Sequence, residues 1–212
     1  MAVGREGSVY YRFANSITRI RPTGQEVALF TDPSGVINGS SMAVADSDSI
    51  LIACSSCSRV YTLRNGTLKP FLGTGVSGLP TEGAIATSTP ITAPYGVALG
   101  PDGCVYVSDA GAHAIWRVAP DGRVYRYAGT PGTGSFSGDG GLAASATLNA
   151  PRHMVFGPVS SRGPGGTLRP ITQLIVHPAA QIVYSRSELS GEPGAVQRGG
   201  HVPIGPGLLP RP

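Results

Sequence analysis

The chain repeats itself. At an offset of 55 positions, Met42-Ala43-Val44 falls on Val97-Ala98-Leu99, Ile50-Leu51-Ile52 on Val105-Tyr106-Val107, and Val60-Tyr61-Thr62-Leu63 on Ile115-Trp116-Arg117-Val118. One residue later in register, Asn65-Gly66 falls on Asp121-Gly122 and Phe71-Leu72-Gly73 on Tyr127-Ala128-Gly129. Residues 9–11, 17–20, 22–24 and 27–30 match the second half of the same unit, with a shorter loop; residues 148–158 match 91–101 and then the pattern stops. A fixed period constrains the fold more than any other feature. Each copy must be one supersecondary unit that buries its faces against its neighbours.

Each unit holds four short runs rich in Val, Ile, Tyr and Phe, the residues that suit strands. Pro-Asp-Gly joins them at 101–103 and again at 120–122. Pro presets φ and Gly103 and Gly122 accept positive φ, which makes these hairpin turns. Composition agrees. The 31 Gly and 19 Pro of 212 residues suit tight turns and suit helices badly. Charged residues are 13%, against roughly 25% in an ordinary soluble domain. Four-stranded meanders in series predict an all-β, incomplete β-propeller; a β-sandwich does not account for so self-similar a unit. The expected organisation is a partial blade over 5–31, blades over 39–73 and 94–129, and the first strand of a further blade over 148–158. From 159 to 212 a Gly/Pro/Arg-rich tail follows, largely irregular, with strand-like runs only at 174–176 and 182–184.

The residues of the unit resemble those of NHL-repeat propellers. The likeness rests on Pro94-Tyr95-Gly96-Val97-Ala98, on the run from Asp102 to Asp109, on His113-Ala114-Ile115-Trp116-Arg117-Val118, and on the linker 128–151 with its Gly129. It covers roughly residues 5–158. It implies blades of a ring usually closed by about six of them; here the repeat enters and leaves mid-blade.

In an up-and-down blade the loop between strands two and three opens at the same end as the linker to the next blade. Loops 54–59 and 109–114 and linkers 73–93 and 129–150 are therefore expected on one face. Connections this long are usually functional or disordered, and binding residues concentrate on loops held by a scaffold. Ser40, Tyr95 and Arg152 are equivalent positions at the mouth end of the innermost strand, and Tyr and Arg are typical of binding hot spots; the plain alternative is a solvated rim. His113 is a further candidate on this face. For His113 and Asp109 the favoured reading is framework: an Asp after a strand bonds the next turn's N–H groups and the His packs over it.

Cys54-Ser55-Ser56-Cys57 stands where Asp109 and its loop stand one repeat later. Zinc needs two more ligands and a redox motif wants a βαβ setting, so the expectation is two unpaired small residues. The loop 136–141 lacks the Lys of a phosphate loop and the spaced carboxylates of a calcium loop. No catalytic constellation, metal set or cofactor site is read from the residues. The sequons at 38–40 and 65–67 are common by chance in such a chain.

The formal charge of +4 sits mostly in the tail, where five Arg face two Glu. The nearly neutral body counts against a nucleic-acid stripe. No apolar stretch reaches the roughly 18 residues of a membrane span, residues 1–6 lack a signal peptide's apolar region, and the compartment stays open. The expected partner is a protein. The alternatives are a fragment of an extracellular propeller hydrolase or lyase, and single-stranded RNA recognition. Exposed end blades predict self-association.

Overall fold

The computed structural model describes residues 1–4, 6–33, 35, 37, 41–46, 49–138, 142–162, 168–177, 181–184 and 196–198. Its strands fall into four-stranded antiparallel meanders in chain order. The first is β1 (Ala2–Val3), β2 (Val9–Phe13), β3 (Ser16–Ile20) and β4 (Glu26–Thr31). The second is β5 (Ser41–Asp46), β6 (Ser49–Cys54), β7 (Arg59–Arg64) and β8 (Thr67–Leu72). The third is β9 (Pro94–Leu99), β10 (Val105–Asp109), β11 (Ala114–Val118) and β12 (Val124–Ala128). The only helical pieces among the described residues are single 3-10 turns at Ser55–Cys57, Ala86–Ser88 and Ala143–Ser145.

The repeat is visible in the pairing. Val44 faces Ile50 and Ile50 faces Leu63; Leu99 faces Val105 and Val105 faces Val118. The added residue lies in the third turn. Leu63 pairs with Leu68 across Asn65-Gly66, whereas Val118 pairs with Val124 across one residue more. Both blades then shift register at the same place, Val60/Tyr61 and Ile115/Trp116. Such a bulge increases local twist.

The first blade is more complete than the sequence suggests. Ala2 and Val3 pair with Tyr10 and Val9 as a two-residue inner strand, too short to register as a repeat. The described residues of the tail add strands. The inner strand β13 (His153–Arg162) runs past residue 158, and β14 (Leu168–His177), β15 (Gln181–Tyr184) and β16 (Val196–Arg198) complete a fourth sheet. The strand-like runs lie within β14 and β15. Backbone pairing from His153↔His177 to Arg162↔Leu168 satisfies N–H and C=O groups that would otherwise need water.

The inner strands line up side by side: β1 beside β5, β5 beside β9, β9 beside β13. Met42, Val97 and Met154 therefore occupy matching innermost strands. Alternation then builds the core, because successive residues of a strand face opposite sides. Val105 and Val107 point into the layer shared with the second blade, with Leu51, Val60, Ile91 and Trp116. Tyr106 and Ile115 point the other way, to Leu148, Met154 and Phe156 of the next repeat. Tyr10, Ile17, Ile50, Ile52 and Leu63 fill the layer between blades one and two.

Candidate functional site

Register places the loops. Asp109 is opposite both Pro94 and Ala114, and Ala128 is opposite Ile115. The start of β9, loop 110–113 and the start of linker 129–150 therefore share one end of the third blade. Loop 54–59 and Gly73 do the same in the second.

The middle of linker 73–93 leaves this face. The Gly83 N–H donates to Val124 O (2.8 Å), the Val124 N–H to Ala84 O (2.9 Å) and the Ala86 N–H to Gly122 O (2.9 Å). The Arg126 N–H donates to Glu82 Oε2 (3.1 Å). The segment is a strap on the outer edge of β12, where it covers groups that an edge strand leaves unpaired. Only the ends of this linker belong to the face.

Those ends are held by one device used twice. Ser58 and His113, 55 positions apart, both have left-handed φ (47° and 58°). The Ser58 hydroxyl donates to Thr92 O (2.9 Å), and His113 Nδ1 accepts the Ala150 N–H (3.0 Å). Gly73 and Gly129, at φ 96° and 88°, lie so close that a Cβ would overlap the carbonyl oxygens of Ser58 and His113 respectively. Each clasp thus touches both ends of the linker that follows it. Ile91 and Leu148, fully buried, anchor the returning ends at about 1.5–3 kcal/mol each.

Asp109, itself fully buried, is a hub. Its Oδ2 accepts the Thr92 N–H (3.0 Å) and the Trp116 indole N–H (3.3 Å); its Oδ1 accepts the Ala93 N–H (2.8 Å) and the Ala112 N–H (3.1 Å). It ties the arriving linker, its own loop and β11 together. Gly103 and Gly122 hold their hairpins at φ 77° and 79°.

Of the expected contact residues, Ser40 lies outside the described residues. Tyr95 and Arg152 are brought together. The Arg152 guanidinium lies 4.8 Å from the Tyr95 ring centroid, and the His153 ring meets Tyr95 edge-on at 5.3 Å. Tyr95 is half-buried, while Arg152 and His153 are exposed. The backbone below is pinned: the Gly96 N–H donates to Ser108 Oγ (2.8 Å), which donates in turn to the Arg152 carbonyl. A Cβ on Gly96 would overlap that carbonyl oxygen, so β9 and β13 approach this closely only with glycine there. His113 serves the linker, through the Ala150 N–H. His153, Ser58 and Ser108 were not singled out from sequence; the 55-residue offset linking Ser58 to His113 was the available signal.

Cys54 and Cys57 form a disulfide, with Cα atoms 5.3 Å apart, and not two unpaired residues. The 3-10 turn Ser55–Cys57 folds the loop back on itself, a local geometry invisible in a bare C-x-x-C spacing. Among the described residues no three His, Cys, Asp or Glu side chains gather as a metal set, and no helix is long and apolar enough to cross a membrane.

The groups with shifted ionisation lie off this face. At the β9–β10 turn, burial pushes the Cys104 thiol up to about 11, helped by Asp102. Burial likewise raises Tyr106, whose hydroxyl donates to Asp102 Oδ2 (3.0 Å). For Asp102 burial works against the charge, but hydrogen bonds from Cys104 and Tyr106 outweigh it and hold the carboxyl below its usual value.

No known family's sequence pattern matches the chain, and no curated protein matches it. Solved structures do. A protein of unknown function from Bacteroides thetaiotaomicron VPI-5482 superposes with a TM-score of 0.59 at 19% identity, over 82% of this chain and 43% of that one. An auxiliary nutrient binding protein from the same organism gives 0.55 at 19%, over 80% and 43%. A streptogramin B lyase gives 0.50 at 15%, over 93% and 67%. This architecture is that of a β-propeller. The chain spans 43% of the length of the first two structures.

Proposed function

We propose that the chain is a non-catalytic protein-interaction module of NHL type, docking a protein partner on the face made by the loops between second and third strands and by the linker ends. One observation carries this reading: an exposed Arg152 guanidinium is laid over the half-buried Tyr95 ring on a backbone fixed by Ser108. Arg and Tyr are the residues that concentrate binding energy, and holding them in place beforehand reduces the ordering cost of association. The framework around them is hydrogen-bonded: Asp109 and the two clasps tie down loops 54–59 and 110–113 and the ends of both linkers. The lyase or hydrolase reading has support only at the level of fold, which hosts unrelated chemistries.

Photo-crosslinking in the cell of origin tests the proposal. A crosslinking residue at Val76 or Thr133, exposed near the linker starts, is expected to capture a defined protein. The same residue at Asn65, in the turn at the other end of the blade, is expected to capture none. Arg152→Ala and Tyr95→Ala are expected to reduce capture about tenfold or more. Equal capture from both ends, or capture indifferent to both substitutions, overturns the reading.

A further inference from the structure

The Cys54–Cys57 disulfide occupies the place that the Asp109 carboxylate fills in the next blade. There the loop is closed by a hydrogen bond from the Ala112 N–H; here it is closed by a covalent bond. A hydrogen bond answers to no redox couple, and a disulfide does. We propose that Cys54–Cys57 is a reversible thiol–disulfide exchange site, reduced by a dithiol, whose opening loosens the grip of the β6–β7 loop on linker 73–93. The proposal goes beyond the docking reading and stands whether or not this face binds a protein.

The two sulfurs are unequal. Cys54 is 1% exposed, whereas Cys57 is half-buried beside the exposed Ser56, so an incoming thiolate reaches Cys57. Its sulfur bonds to Cys57 Sγ, the Cys54–Cys57 bond breaks, and Cys54 leaves with the electron pair and takes up a proton. The second thiol of the reductant attacks the mixed disulfide, and Cys57 leaves and is protonated in turn. Two electrons and two protons pass to the chain, and the dithiol departs as its own disulfide. Ser56 Oγ lies 3.7 Å from Cys54 Sγ and 4.0 Å from Cys57 Sγ, where one hydroxyl can donate to whichever thiolate forms.

The consequence travels one residue. Ser58 follows Cys57 directly, in the left-handed region, with its carbonyl against Gly73 and its hydroxyl on Thr92 O. The tether that fixes this conformation from the N-terminal side is the disulfide. Once it opens, the clasp loses that tether and both ends of linker 73–93 are held less firmly.

The full chain, alkylated with iodoacetamide under native conditions with and without dithiothreitol, is mapped by mass spectrometry. Without reductant neither Cys54 nor Cys57 is expected to react; with it both are, while Cys104, buried and with its thiol pushed up to about 11, stays unmodified. Hydrogen exchange in residues 55–59 and 73–74 is expected to rise about tenfold on reduction, with residues 105–109 unchanged. The double variant Cys54→Ala, Cys57→Ala is expected to show the raised exchange with no reductant present. Reaction of Cys54 and Cys57 without reductant overturns the proposal. So does their reaction only together with Cys104, or exchange at 73–74 that ignores reduction.

Discussion

Asp109 is the residue on which most of the third blade's loop geometry converges. Its four donors come from residues 92, 93, 112 and 116. Removal of a buried acceptor leaves each donor unsatisfied. Asp109→Ala is therefore expected to cost about 3 kcal/mol, read as a lower urea midpoint, and Asp109→Asn, which keeps one acceptor oxygen, less. Gly96→Ala drives a Cβ into the Arg152 carbonyl and is expected to cost about 1–3 kcal/mol, again by urea. Asp102 carries a sign for acid stability. Its folded carboxyl is held below the usual 3.8, so its contribution is present above that value and lost as pH falls through the lowered one. As pH falls through that lowered value, Asp102→Asn is expected to lose less stability than the parent, a small difference because the side chain is exposed.

The linkers were the elements most open to misreading. Long, Gly-rich connections suggest mobile loops, yet each one here returns to a clasp, and the middle of the first adds an edge pairing to β12. His113→Ala removes the acceptor for the Ala150 N–H. It is expected to cost about 1 kcal/mol and to speed proteolysis within 129–138 under native conditions. The strap predicts that the Val124 and Arg126 amides exchange slowly for an edge strand. The strands themselves were legible in blades two and three, where Ile50–Ile52 and Val105–Val107 repeat a pattern that turn residues bound on both sides. β1 was not, since two residues make no pattern. Nor were β14 to β16 read as one sheet, because Gly and Pro between them mask the repeat.

Across the whole molecule stability is shared between neighbours, since every apolar layer lies between two blades. The first blade has an outward face as well. Val3, Val9, Tyr11 and Phe13 alternate onto the side away from Tyr10, and Val3 and Phe13 are 65% and 78% exposed. Apolar surface of this kind favours association. Sedimentation is expected to show concentration-dependent self-association, reduced by Val3→Ser with Phe13→Ser; a monomer at all concentrations refutes it.

The sequence by itself determined blades two and three: their strand content, turn positions, the offset change from 55 to 56 at the third turn, and the end of the blade where loops and linker ends meet. All of these follow from local alternation and from turn residues with restricted φ. Only the tertiary structure decided which polar groups meet across the linkers: Asp109 with Thr92, His113 with Ala150, Arg152 with Tyr95, Glu82 with Arg126. It also decided that Cys54 reaches Cys57 and that Gly96 must lack a side chain. The contacts across linkers and between blades depend on how one blade is turned against the next, which no short window of residues encodes, whereas Cys54 reaches Cys57 through a local 3-10 turn that the C-x-x-C spacing alone does not specify.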